Sequence, residues 1–147
     1  MKISLSTRVF LIVSGLIGIA IGGALLFTPV EFQASSGISL ADDVNLLSEI
    51  RAPGGALLAA GIIIVSGAFV QKITQTSILL SCLFYLSYGA SRLVGVMVDG
   101  VPNNTVIAAM ACEIIIGLIS LFALLSFQRK QNRARELLTF NMKRKEQ

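Results

Sequence analysis

In the stretch SILLSCLFYLSYGASRLVGVMVDG, Tyr85, Tyr88, Arg92, Gly95 and Asp99 follow one another at steps of three, four, three and four residues. On a helix that spacing places them along one face, while most of the other residues are Leu, Val and Ala. A guanidinium on such a stripe can hold an anionic group or pair with a carboxylate from another helix. A charge inside an apolar membrane helix costs several kcal/mol, so it takes a partner. The expected partner is Glu113. Arg92 lies seven residues before Asp99, about 10 Å from that helix end, and Glu113 ten residues after Asn103, about 15 Å in. Side chains lean toward their own helix N-terminus, so Arg92 and Glu113 converge if the two helices are neighbours. The short connection DGVPN makes them antiparallel neighbours.

A second charged stretch, LLSEIRAPGG, carries Glu49 and Arg51. Two residues apart on a helix, they point to different faces and do not pair with each other. With Asp99 they are expected to form an outer ring above the Arg92–Glu113 pair. Tyr85 and Tyr88 either pack as core or hydrogen-bond the cluster. The plainest role for such a cluster is to fix helix packing and register, and ligand binding competes with it closely. A catalytic role, with Glu113 as acid or base, ranks third. The chain has no His, which removes the commonest metal and haem ligand and the commonest neutral-pH base, so neither metal nor cofactor is expected.

The elements that must position these groups follow from composition. Of 147 residues, 54% are hydrophobic and 14% charged, against about 25% charged in soluble domains. The mean hydropathy is +0.81. A spanning helix needs roughly 20 mainly apolar residues. Four runs meet this, at about residues 9–28, 53–70, 77–98 and 104–127, followed by a basic tail over 129–147. The first run is longer than the apolar part of a secretion signal and reads as a retained span. Short connections imply an all-α, integral membrane four-helix antiparallel bundle. Lys2, Arg8, Lys72 and seven Lys or Arg of the tail fall on one side, and Glu31, Asp42, Asp43 and Asp99 on the other. The positive-inside rule then makes both termini cytoplasmic. Only Arg51 and Arg92 break the pattern, both in the outer half.

Pro53 leaves two readings of the second span open. The helix starts near Pro53, where proline is tolerated, or one kinked helix runs from Asp43 through it. ADDVNLLSEI can form a short surface helix capped by Asp42 or Asp43, after a turn-like QASSG. Ser14, Gly18 and Gly22, and likewise Ser87, Ser91 and Gly95, offer small residues for close helix contact. Cys82 and Cys112 differ too much in depth for a disulfide and read as buried, inert thiols. Arg129, Lys130, Arg133 and Arg135 can meet anionic lipid headgroups, at about 1 kcal/mol per nearby basic residue. No aromatic platform or fold for nucleic acid accompanies this charge.

Together SEIRAPGG, YGASRLVG, DGVP and the mid-span CEIIIG resemble the small bacterial four-helix membrane family catalogued as domain of unknown function 4345. The resemblance covers about Arg8 to Phe127. It places Glu49, Arg51, Arg92 and Glu113 on the family's charged positions. Ile50, where the family has an aromatic residue, and Pro53 depart from its pattern. The arrangement is also distantly similar to DoxX-like four-helix proteins. The resemblance implies the bundle and the cluster but no activity. The expected localisation is the bacterial inner (cytoplasmic) membrane. The leading functional expectation is binding, or helping to move, a small polar, anionic or lipid-like ligand through an outer-facing charged cavity. The alternative is an accessory or assembly subunit, with a membrane protein or a second copy as partner. Membrane lipids are partners in either case.

Overall fold

The computed structural model describes residues 3–40 and 43–145; Lys2, Asp42 and the side chain of Arg135 lie outside the described residues. Among the described residues there are five helices: α1 (Leu5–Phe27), α2 (Pro29–Ser35), α3 (Val44–Ser66), α4 (Thr74–Asp99) and α5 (Asn104–Lys145). The long helices α1, α3, α4 and α5 are each apolar and long enough to cross a membrane. They expose Leu16, Ile62, Leu83 and Phe122 outward, as lipid-facing helices do. The chain is a four-span integral membrane protein.

Helix boundaries follow local chemistry. Ser4 caps α1, its hydroxyl accepting from the Thr7 N–H at 3.2 Å. Pro29 cannot continue α1 and instead opens α2 at its first turn. The chain then turns at Gly37, whose φ of 75° suits glycine. Asp43 caps α3, accepting from the Asn45 N–H at 2.8 Å.

The structure decides one open reading and departs from the sequence expectation in two other features. The second spanning helix begins at Val44, so Pro53 lies inside it, the reading in which one helix runs through the proline rather than starting near it. The separate surface helix of the α1–α3 connection is α2, while the segment expected to form it is the first part of α3. The basic tail is also not a separate segment. It continues α5, whose 42 residues reach about 63 Å, well beyond a bilayer core of about 30 Å.

Packing divides the four spans into two antiparallel pairs. α1 and α3 meet through glycine. A Cβ at Gly22 would lie 2.4 Å from the Leu58 backbone nitrogen, and one at Gly61 2.6 Å from that of Ile19. Only glycine lets two backbones approach so closely. Gly18 and Gly22 of the expected stripe lie in this contact, and Gly15 beside Ser14 completes it. The stripe's α4 counterpart lies in no such contact, since Ser87 and Ser91 are exposed. α4 and α5 meet instead at Gly89 against Ile114 and at Gly117 against Leu86. Deeper along the same seam, Ser120 donates to the Ile116 carbonyl at 2.8 Å, so the buried Ser81 hydroxyl, 2.9 Å away, is the donor to Ser120.

The two pairs close on each other at the end that carries the chain termini. Leu11, Ile64, Ala68, Ile78 and Leu124 form the buried core there, with Phe10 and Phe127 against it. Ser77 donates to the Ile63 carbonyl at 2.8 Å and fastens α4 to α3. Toward the other end, where the α1–α3 connection runs, the pairs separate.

Candidate functional site

The separation leaves an open cavity of about 330 Å³. Pockets of this size, mainly apolar with a few convergent polar groups, are typical of small-ligand sites. Leu25, Phe32, Leu57, Phe84, Val106 and Ala109 supply apolar wall. The charged and phenolic side chains facing it are Glu49, Tyr85, Tyr88, Arg92 and Glu113.

Arg92 and Glu113 are ion-paired. The Arg92 Nε–H is shared between Glu113 Oε1 at 3.0 Å and Oε2 at 2.9 Å. The antiparallel contact of α4 and α5 sets this up: Arg92 leans inward, Glu113 leans outward, and they meet although their Cα positions differ in depth. Glu113 is the more sheltered, with its side chain 15% exposed against 36% for Arg92. The geometry is not the two-pronged fork in which two guanidinium nitrogens take one oxygen each. Only Nε is used, so the Nη atoms have no hydrogen-bond partner among the described residues.

The tyrosines divide. Tyr85 is buried, and its hydroxyl donates to the Ser14 carbonyl, tying α4 to α1 beneath the cavity. Tyr88 is half-buried and stacks on Phe84, with ring centroids 6.3 Å apart.

Glu49 is exposed and lines the cavity, as does Pro53 one turn further along α3. Proline has no N–H, so the Glu49 backbone carbonyl lacks the donor it would have in an uninterrupted helix. Arg51 does not join Glu49. It points to the other side of α3 and donates to the Leu26 carbonyl near the end of α1. Arg8 does the same at the opposite end, its Nε donating to the Ala68 carbonyl just past α3 at 3.0 Å. Each arginine thus meets the negative end of its antiparallel partner. Asp99 is also outside the cavity, exposed as the last residue of α4. The expected ring of Glu49, Arg51 and Asp99 is therefore reduced to Glu49, because positions two apart on α3 face different neighbours and the Asp99 carboxylate lies beside Gly95 on its own helix, outside the cavity.

Asn103 is a contributor that charge and spacing did not reveal. Its Oδ1 accepts from the Val106 N–H at 3.1 Å, capping α5, while its Nδ2 donates to the Ser36 carbonyl at 2.7 Å. It ties the α4–α5 turn to the α1–α3 connection across the cavity's end. The only sequence signal was an Asn before a helix, which reads as a cap and no more.

Other expected groups fall elsewhere. Cys82 is buried, but Cys112 is exposed, facing away from the bundle; both are free thiols. No cluster of three or more His, Cys, Asp or Glu suited to a metal occurs among the described residues. Of the tail residues expected at lipid headgroups, Lys130 lines a second cleft of about 430 Å³ between the start of α1 and α5, near Ser4, Thr7, Phe10 and Ser126. Arg129 and Arg133 are exposed.

The family described as Domain of unknown function (DUF4345) matches residues 6–124, and the chain belongs to it. No curated protein and no solved structure matches the chain.

Proposed function

We propose that this DUF4345 member holds a small amphiphilic ligand in the cavity between its two helix pairs, at the outer face of a bacterial inner membrane. The observation that carries the reading is the incomplete use of Arg92. A guanidinium placed only to lock α4 to α5 would spend its donors on the protein. This one gives Nε–H to Glu113 and leaves its Nη atoms without a described partner, beside an open cavity with apolar walls. The positive-inside rule supports the outer placement, because the terminal end carries the basic residues. The solid core at that end supports holding over passage, since Leu11, Ile64, Ile78 and Leu124 fill the bundle below the cavity. The accessory-subunit reading would draw on a cluster whose donors are all spent within the protein.

Native mass spectrometry of the chain, released from membranes in a mild neutral detergent, tests the proposal. A discrete adduct should accompany the wild-type protein and be lost from Arg92→Leu. No adduct, or one equally retained by both, would favour the accessory-subunit reading.

A further inference from the structure

We infer that the ligand of the outer cavity is a zwitterionic amphiphile, with an acidic oxygen group on Arg92, an amine at Glu49 and an apolar chain beyond them. The inference rests on the binding role proposed for that cavity.

The donors and acceptors left over by the fold are sorted by place. A guanidinium carries five N–H groups. Arg92 spends one, and the four on its Nη atoms have no partner among the described residues. Those four donors are left over beside the cavity. At Glu49 the imbalance is reversed. Its carboxylate lies within 4.0 Å of no cation among the described residues, while Arg51, its nearest basic residue in sequence, is held at the Leu26 carbonyl. Pro53 also leaves the Glu49 carbonyl without a helical donor. An ammonium group, with three N–H donors, matches this place.

Charge excludes the simpler ligands. With its carboxylates ionised the cavity holds Glu49 and Glu113 against Arg92 alone. A purely anionic ligand would meet Glu49 as a like charge and leave that carboxylate without a partner. A purely cationic one would leave the Arg92 donors unmet. A zwitterion satisfies both without changing the total.

The order of the groups also fits. Glu49 is in the first turns of α3 and leans toward its N-terminus, at the mouth. Arg92 leans inward. Gly18, Leu57 and Tyr85 line the cavity further in, where α1, α3 and α4 close together. Inward from the mouth the order is amine, acidic group, apolar wall, the order of an aminophospholipid head, whose size suits a cavity of about 330 Å³ while its acyl chains extend between the separated helix pairs. A soluble phosphoethanolamine has the same head but lacks the chain.

The chain has no Trp, so Phe84→Trp places a single fluorophore on the cavity wall. Val106→Trp on α5 is a second probe should the first disturb folding. The full chain in neutral maltoside micelles is titrated with brominated-acyl phosphatidylethanolamine and with brominated-acyl phosphatidylglycerol. Saturable quenching is expected for both, with phosphatidylethanolamine effective at about tenfold lower mole fraction. Glu49→Gln should abolish that preference while quenching persists. Free phosphoethanolamine should not displace the brominated lipid. Equal or stronger binding of phosphatidylglycerol would overturn the zwitterion inference and leave ligand binding standing. Displacement by free phosphoethanolamine would overturn the amphiphile. Absence of saturable quenching with both lipids and both probes would overturn the binding reading itself.

Discussion

Replacing Arg92 and Glu113 singly and together gives the sharpest energetic test of the pair. Exposed ion pairs contribute about 0–1 kcal/mol. Removing one member of a buried pair costs about 3–5 kcal/mol, because the survivor keeps an uncompensated charge. This pair lies between the limits, with Glu113 at 15% and Arg92 at 36% exposure. Arg92→Leu strands the better-buried carboxylate and should destabilise by about 2–3 kcal/mol. Glu113→Leu strands a guanidinium that can still reach water through the cavity, and should cost about 1–2 kcal/mol. The double variant removes both desolvated charges and places two apolar side chains together, so it should lose only about 2 kcal/mol, less than the sum. The coupling energy is then about 2 kcal/mol. Reversible unfolding in mixed micelles, followed by helical circular dichroism after delipidation, measures all four corners of the cycle. Losses that add to within about 0.5 kcal/mol would refute the coupling.

Gly61→Ala should be among the most damaging small changes in the bundle. Its methyl would lie 2.6 Å from the Ile19 backbone nitrogen, which cannot rotate away, so the same unfolding assay should show a loss of about 3 kcal/mol. Arg51→Gln should lose less than about 1 kcal/mol and leave ligand retention in native mass spectrometry unchanged, because this side chain caps α1 and does not face the cavity. Reporter fusions after Gln147 should read cytoplasmic and fusions after Asp99 should read periplasmic; the reverse pattern would invert the bundle.

The parts legible in the sequence were those with a large energetic penalty for being otherwise. Four apolar runs cannot remain in water, and Arg92 in the third could not remain unpaired in lipid. Opposed side-chain tilts on antiparallel helices then pointed to Glu113. What escaped depends on which neighbour occupies each side of a helix. Glu49 and Arg51 could be assigned to different faces, but not Arg51 to the end of α1, because pairing between α1 and α3 is set by Gly22 and Gly61 together with Gly15, where an added Cβ would meet Val65 at 2.5 Å, and Gly54, where it would meet Leu25 at 2.8 Å. Pro53 disfavours helix locally, yet packing of Gly54, Leu57 and Gly61 on α1 holds the segment helical around it. Cys112 carried no mark of facing outward, since thiols suit lipid and protein interiors alike. The continuation of α5 through the basic tail was obscured by polarity, which shows where the membrane ends but not where a helix does.

The central claim is that the space between the helix pairs is a ligand site, and filling that space tests it without touching a charge. Ala109 lies on the cavity wall one turn from Glu113 on α5, so Ala109→Phe projects a ring into the room beside the ion pair. Native mass spectrometry of this variant and the wild type, extracted side by side, should show a folded protein in both and the adduct in the wild type alone. An adduct of the same mass retained equally by Ala109→Phe would mean that whatever binds does not use this cavity.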